Sequence, residues 1–402
     1  MNLARLERFL VVLAVVSSPA WFLTIGGVNL TPMDLLLLTV GVLVVLRRGE
    51  LVLFPSAGVG LAVLLFLTGL TLSLLGTPAP KEGVLSFFQY LLALLVLVPV
   101  AMYGLRASRT RWYAVLGLAT VLNGLVLSTV YATTVAGATN VSLWFGNTNQ
   151  LYWLLAVAFI FDSFLALESD LNWGLRVSAI VLGVLAMGTV LTGRSMSAIL
   201  MVGIGAWTAV LYVIDDRFVS RRPLYVYVGA TAIAGAALGA FLVTHLEFVK
   251  TTLEVSIDPR AIQVSAGIRQ GLANPFTGTG LESAEIVFQR LGLPTGKPIH
   301  STFISHFMES GLFALIGYVG VMGYWLRDVF FASISTPGWS MFERIPIAVF
   351  GTVIPALALF QPAPLRRIWW LFFAMGYVTV LGRRNDSRPG GQPDPASLEH
   401  EH

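Results

Sequence analysis

The sequence predicts an all-α polytopic membrane protein of about twelve transmembrane helices, with one helical loop on its outer face. Three observations predict it. Apolar residues make up 56% of the chain and charged residues only 11%, against roughly 25% charged in a soluble domain. A surface so poor in charge is compatible with lipid over most of its area. The apolar residues also fall into about a dozen runs, most of them near the ~20 residues that cross a bilayer. Finally, the basic residues concentrate on alternate connections, as the positive-inside rule requires.

The predicted spans are Phe9–Gly26, Met33–Leu46, Ala57–Leu75, Val84–Gly104, Trp112–Thr134, Gln150–Leu167, Leu175–Thr192, Met196–Ile214, Leu224–Val243, Thr302–Trp325, Ile345–Phe360 and Ile368–Leu381. The first follows Arg5 and Arg8. No small-residue cleavage site followed by a soluble domain succeeds it, so it reads as a span rather than a signal peptide. The second and last are short for a crossing, which predicts tilt, a kink or extension into the interface.

An even number of spans puts both termini on one side. With that side cytoplasmic, the inner connections take most of the 25 basic residues. The outer connections keep Lys81, Arg194, the Arg366–Arg367 pair and five residues of one long loop. The formal charge of +4 is therefore a matter of membrane topology. It is no signal for nucleic acid, and the partner that composition implies is the lipid bilayer. The absence of cysteine excludes disulfides, thiolate metal sites and cysteine nucleophiles.

The long loop runs over about 244–300. Asp258-Pro259 predicts a helix start, with Asp as N-cap and Pro in the first turn. That helix should run to about Leu272 and stop before Asn274-Pro275. Gly278-Thr279-Gly280 reads as a turn. A second helix is predicted over Glu282–Leu291, ended by Gly292, Pro294 and Gly296. The chain re-enters the membrane at His300. Residues 385–402 are polar and rich in Pro and Gly, the composition of a disordered tail. Residues 1–384 then form a single transmembrane domain, with no inverted repeat of the kind transporters use.

Chemistry-bearing residues stand out against this apolar background. Arg194 occupies the tight outer turn Thr192-Gly193-Arg194-Ser195-Met196-Ser197. Its plain reading is snorkelling to headgroups; its functional reading is a fork that binds two phosphate oxygens at once. Arg269 is on the first loop helix. Arg260 and Arg290 are weaker candidates for the same anion-binding role, and for these three a solvated surface is the plain alternative. His300 stands at the re-entry point, either as a general base or as a packed interface residue. His306 and Glu309 lie further along the same span and are weaker substrate-binding candidates that could pair with one another; an acid in an apolar helix is expensive and often functional. Asn147 and Asn149 lie at the outer entrance to the sixth span, where they would cap the helix or bind sugar hydroxyls. The outer acids show no Asp-x-Asp pairing, no paired-histidine ligand spacing occurs, and neither a P-loop nor a dinucleotide fingerprint is found. No metal and no cofactor is expected.

Taken in order, these pieces resemble the superfamily of bacterial O-antigen ligases and related surface-polysaccharide polymerases. The resemblance rests on the twelve-span layout with a large outer loop between spans nine and ten. It rests equally on three short motifs, spread over Gly146 to Trp325. They are Thr-Gly-Arg194-Ser after span seven; Arg269 followed by Asn274-Pro275-Phe276-Thr277-Gly278-Thr279-Gly280; and His300 leading into Glu309-Ser310-Gly311-Leu312. The family pattern has Asn after the histidine, where this chain has Ser301. The resemblance implies a GT-C-like, inverting, metal-independent glycosyltransferase of the bacterial inner membrane, acting in lipopolysaccharide or surface-polysaccharide biosynthesis. Its donor would be a glycan on undecaprenyl diphosphate, and its acceptor a glycan or lipid A-core. Arg194 and Arg269 would stabilise the leaving diphosphate, and His300 would accept a proton from, or orient, the attacking sugar hydroxyl on the outer side.

Two other classes compete. A flippase or transporter of lipid-linked glycans predicts repeats, broken helices and charges at mid-membrane. Asp34 and Asp162, the acids of the early spans, both lie near span ends, which weighs against an ion path. A non-catalytic scaffold of an envelope complex would leave the outer arginines and histidine without a purpose.

Overall fold

The computed structural model describes residues 3–19, 23–25, 28–48, 53–138, 141, 148–193, 195–217, 261–293, 299, 301–335, 339–360 and 367–386. The predicted span Leu224–Val243, the Asp258-Pro259 helix start and nearly all of the tail lie outside these residues.

The described chain is helical apart from one short hairpin. Its elements are α1 (Leu3–Ser17), β1 (Leu23–Ile25), β2 (Val28–Leu30), α2 (Pro32–Arg48), α3 (Ala57–Leu74) and α4 (Pro80–Gly104). Next come α5 (Ser108–Thr134), α6 (Thr148–Leu167), α7 (Trp173–Thr192) and α8 (Met196–Arg217). Two loop helices, α9 (261–273) and α10 (Ala284–Arg290), precede α11 (Thr302–Trp325), α12 (Met341–Phe360) and α13 (Arg367–Asp386). Among the described residues, six helices are long and apolar enough to cross a membrane: α3, α4, α5, α6, α7 and α11. The protein is thus a helical, multi-pass membrane protein.

The helices overrun several predicted spans at polar ends. The short second and last spans become 17- and 20-residue helices. The first span was expected to reach Gly26, but α1 stops at Ser17. Pro19 comes two residues later, and a proline disfavours helix in the residue before it, here Ser18. Leu23↔Leu30 and Ile25↔Val28 then pair antiparallel around Gly26-Gly27, a two-residue hairpin signal that the apolar run masked. Thr31 opens α2 with a capping box. Its N–H donates to Asp34 Oδ2 at 2.7 Å, and the Asp34 N–H returns to Thr31 Oγ1 at 3.3 Å. A π-helical stretch, Leu92–Leu97, lies in α4 just ahead of Pro99. Proline cannot donate to the fourth residue back and its ring crowds that carbonyl, so the widened turn relieves both problems.

The connections assigned by sequence to one side meet one another. Arg47 pairs with Glu7 at 3.4 Å, the Phe342 N–H donates to Glu168 Oε2 at 3.0 Å, and Arg383 pairs with Glu343 at 2.7 Å. Near them a cavity of about 250 Å³ opens between Arg111, Trp112, Phe342 and Arg383. At the other end Thr77 Oγ1 donates to the Leu281 carbonyl at 2.7 Å, and Arg367 pairs with fully buried Asp34 at 3.0 Å. Half of the Arg366–Arg367 exception is thereby explained. A cation in the first turn of α13 opposes the helix dipole, and Asp34 compensates it.

Among the described residues, α3 and α11 cross with their backbones in near contact. A Cβ on Gly69 would stand 2.2 Å from the Ala314 nitrogen, and one on Gly317 2.2 Å from the Phe66 nitrogen. Small residues let backbones touch where lipid offers no hydrophobic drive for association. Gly317→Leu is therefore expected to cost more than the ~1–3 kcal/mol of ordinary overpacking. Gly188→Leu, with nothing within 4 Å of its Cβ position, should stay within ~0.5 kcal/mol. Thermal unfolding of the detergent-solubilised variants checks the contrast.

Candidate functional site

The outer loop docks onto a break in α11. Gly311 adopts φ 75°, ψ −170° inside the helix, a conformation open to glycine and costly to other residues. The break strips intrahelical partners from the carbonyls of Met308 and Glu309 and from the N–H of Leu312, groups that must be satisfied elsewhere when buried. The loop motif satisfies all three. Thr279 N–H donates to Met308 O at 2.8 Å, Gly280 N–H donates to Glu309 O at 3.0 Å, and Leu312 N–H donates to Pro275 O at 2.7 Å. Backbone meets backbone here. A Cβ on Gly278 would lie 2.4 Å from the Glu309 carbonyl carbon, and one on Gly311 2.6 Å from that of Phe276.

Side chains lock the same seam. Glu309 is 8% exposed. Its Oε1 accepts the Ala284 N–H at 3.0 Å, at the start of α10, and its Oε2 accepts Ser305 Oγ–H at 3.1 Å. Glu282 does not begin a helix as the sequence suggested. It sits at φ 61°, and its Oε1 accepts Ser86 Oγ–H of α4 at 2.6 Å. That tie turns the chain, and α10 starts two residues later. Beneath the loop Ala266, Ala284, Phe288, Ile299 and Met308 form a small apolar core of their own. It clamps α9 and α10 over the start of α11, which Ser301 caps by accepting the Ile304 N–H at 3.4 Å.

The candidate residues distribute as follows. Arg269 is exposed on α9, between Gly267, which faces Ile304, and Gly271, which faces Phe307. Arg290 is exposed at the end of α10. The pairing open to His306 and Glu309 does not form. His306 is 2% exposed, ringed by Phe66, Tyr90 and Tyr318 at centroid distances of 5.0, 5.8 and 4.8 Å, and its Nε2 has no hydrogen-bond partner. The spacing of three residues put both on one helix side, but α3 and α4 supply aromatic rings to one and the loop supplies amides to the other. His300, Arg194, Arg260 and Asn147 lie outside the described residues, as does the side chain of Asn149.

The neighbours of two of these are anchored. Ile299 and Ser301 flank His300 and are buried. Around Arg194, the Tyr152 ring covers Gly193 so closely that a Cβ there would meet it at 2.1 Å. Trp153 Nε1–H donates to Ser197 Oγ at 2.6 Å, and the Trp153 ring lies 6.2 Å from that of Trp369. This corner is built from α6, α7, α8 and α13, whereas the loop seam is built from α3, α4, α9, α10 and α11. Sequence reasoning missed Ser86, Glu282 and Trp153. The first two carried no signal beyond polarity, and Trp153 was one aromatic among many. Among the described residues no group of three or more His, Cys, Asp or Glu side chains gathers.

The sequence matches no protein-family model, and no curated protein is similar to it.

Proposed function

We propose that the protein is an inverting, metal-independent glycosyltransferase with a GT-C-like fold. It moves a glycan from undecaprenyl diphosphate to a sugar hydroxyl, as an O-antigen ligase or surface-polysaccharide polymerase does. The observation that carries this reading is the seam at Gly311. It joins two motifs of the resemblance, Pro275–Gly280 and Glu309–Leu312, through backbone hydrogen bonds. The same joint holds the helix bearing Arg269 against the start of α11, next in sequence to His300.

In this reading the protein lies in a bacterial inner membrane, with both termini cytoplasmic and the loop outside. The acceptor hydroxyl attacks the anomeric carbon, its proton passes to His300, and the bond to the diphosphate oxygen breaks. Arg194 and Arg269 stabilise the charge that develops on the leaving group, the part a divalent cation plays elsewhere. A single displacement inverts the anomeric centre.

The test is to incubate purified protein with an undecaprenyl-diphosphate oligosaccharide, with and without lipid A-core. Glycan on the core identifies a ligase, and longer lipid-linked chains a polymerase. Inverted product and undiminished rate in EDTA are expected. No transfer to either acceptor refutes the function, and loss of rate with EDTA refutes the metal-independent mechanism.

A further inference from the structure

Asp162, five residues from the C-terminal end of α6, nonetheless lies inside the helical bundle, away from the outer seam. Asp162 of α6 is 1% exposed. Its Oδ1 accepts the Nδ2–H of Asn123, on α5, at 2.9 Å. From a third side α7 approaches at Gly183, where a Cβ would stand 3.3 Å from the Asp162 Cβ. The remaining oxygen of each partner, Asp162 Oδ2 and Asn123 Oδ1, is buried and accepts no hydrogen bond.

Among the described residues, charged side chains of the neighbouring elements are engaged elsewhere. Arg176 of α7 donates to the Ala166 carbonyl, one turn further along α6. Arg344 of α12 donates to the Tyr212 carbonyl of α8, and Glu168 accepts the Phe342 N–H. Facing α6 near Asp162, α8 brings Gly205 against Ile160, and α13 brings Phe372 against Phe161.

An ionised carboxylate only accepts, so an Asp–Asn pair in that state has one bond and two orphaned acceptors. Flipping the amide merely exchanges which atoms are mismatched. Lipid supplies no water to repair the mismatch. One added proton supplies the donor that the two orphaned acceptors lack. Asp162 Oδ2–H then donates to Asn123 Oδ1 while Asn123 Nδ2–H donates to Asp162 Oδ1, and each group gives and takes one bond.

We propose that Asp162 and Asn123 form an intramembrane proton-binding site, in which Asp162 is held as the neutral acid of an acid–amide pair that clips α5 to α6 beside Gly183. This site stands whether or not the protein transfers glycan. It also has a mechanical consequence. The helix it fixes carries Tyr152 and Trp153, the residues packed on Gly193 and Ser197.

The test is infrared spectroscopy of the full-length protein in vesicles at neutral pH. A protonated-carboxyl C=O band is expected that shifts on exchange into heavy water and is lost in Asp162→Asn. In Asn123→Ala the same band should move to higher frequency, because its hydrogen bonds are gone; this variant also serves if Asp162→Asn fails to fold. A wild-type spectrum without such a band, or a band unmoved by Asn123→Ala, overturns the proposal. A sodium ion bridging the two oxygens is the rival occupant. Thermal unfolding in sodium and in choline buffers should be the same; sodium-dependent stabilisation of the wild type that Asp162→Asn abolishes would assign the site to a metal cation instead.

Discussion

Replacing His300 by alanine is expected to lower glycan transfer by ~10²–10⁴-fold, the range supplied by a positioned general base. Arg194→Ala and Arg269→Ala should each cost ~10²–10³-fold, the cost of removing one donor that meets charge developing in the transition state. In each case the loss should fall mainly on kcat, because the charge being met appears only as the diphosphate leaves. Arg269→Lys should not restore full rate, since an ammonium cannot reproduce a two-pronged grip on phosphate oxygens. Arg269 is exposed on α9, so its truncation should leave folding within ~0.5 kcal/mol of the wild type. Membrane levels of all three variants should match the wild type while transfer, measured with lipid-linked oligosaccharide, collapses. Full activity in all three would remove the site assignment.

The spans were legible because each is a local property. A window of apolar residues needs no partner to be recognised, and α3 to α7 fall where such windows lie. What closes the bundle was far less visible. The ion pair of Arg367 with Asp34 joins residues more than three hundred positions apart, and only the fold says which arginine of a pair finds an acid. The hairpin at Leu23–Leu30 was hidden by its own apolarity, although Gly26-Gly27 announced it. Gly311 illustrates the same limit at the candidate site. In sequence it is one glycine among 39, inside a run that is helical on both sides. Its left-handed conformation matters only because Pro275, Thr279 and Gly280 arrive to satisfy the groups it frees. Glu309 was noticed as a costly acid, but its partners, the Ala284 amide and the Ser305 hydroxyl, could not be read. One amide comes from a loop, and backbone donors have no sequence signature.

The loop seam makes its own strong prediction, through two glycines of nearly equal φ. Gly278 has φ 65° and Gly292 has φ 67°. Alanine at either position pays the ~1 kcal/mol of a left-handed residue with a side chain. They differ in surroundings. The Gly292 Cβ position has nothing within 4 Å, whereas that of Gly278 lies 2.4 Å from the Glu309 carbonyl carbon. Backbone cannot swing aside as a side chain can, so Gly278→Ala must push the loop off α11. That breaks the bonds from Thr279 N–H and Gly280 N–H and leaves two carbonyls of the helix break unmatched, each worth ~1–3 kcal/mol when left unsatisfied. The expected outcome is local opening. Amide exchange at Thr279, Gly280 and Leu312 accelerates, the 261–293 segment becomes sensitive to protease, and glycan transfer is lost while the protein stays in the membrane. Gly292→Ala should keep the seam amides protected and the transferase active. Equal exchange rates in the two variants would mean that the seam does not depend on backbone contact at Gly278. The loop would then be held by its small apolar core and by Glu309 alone.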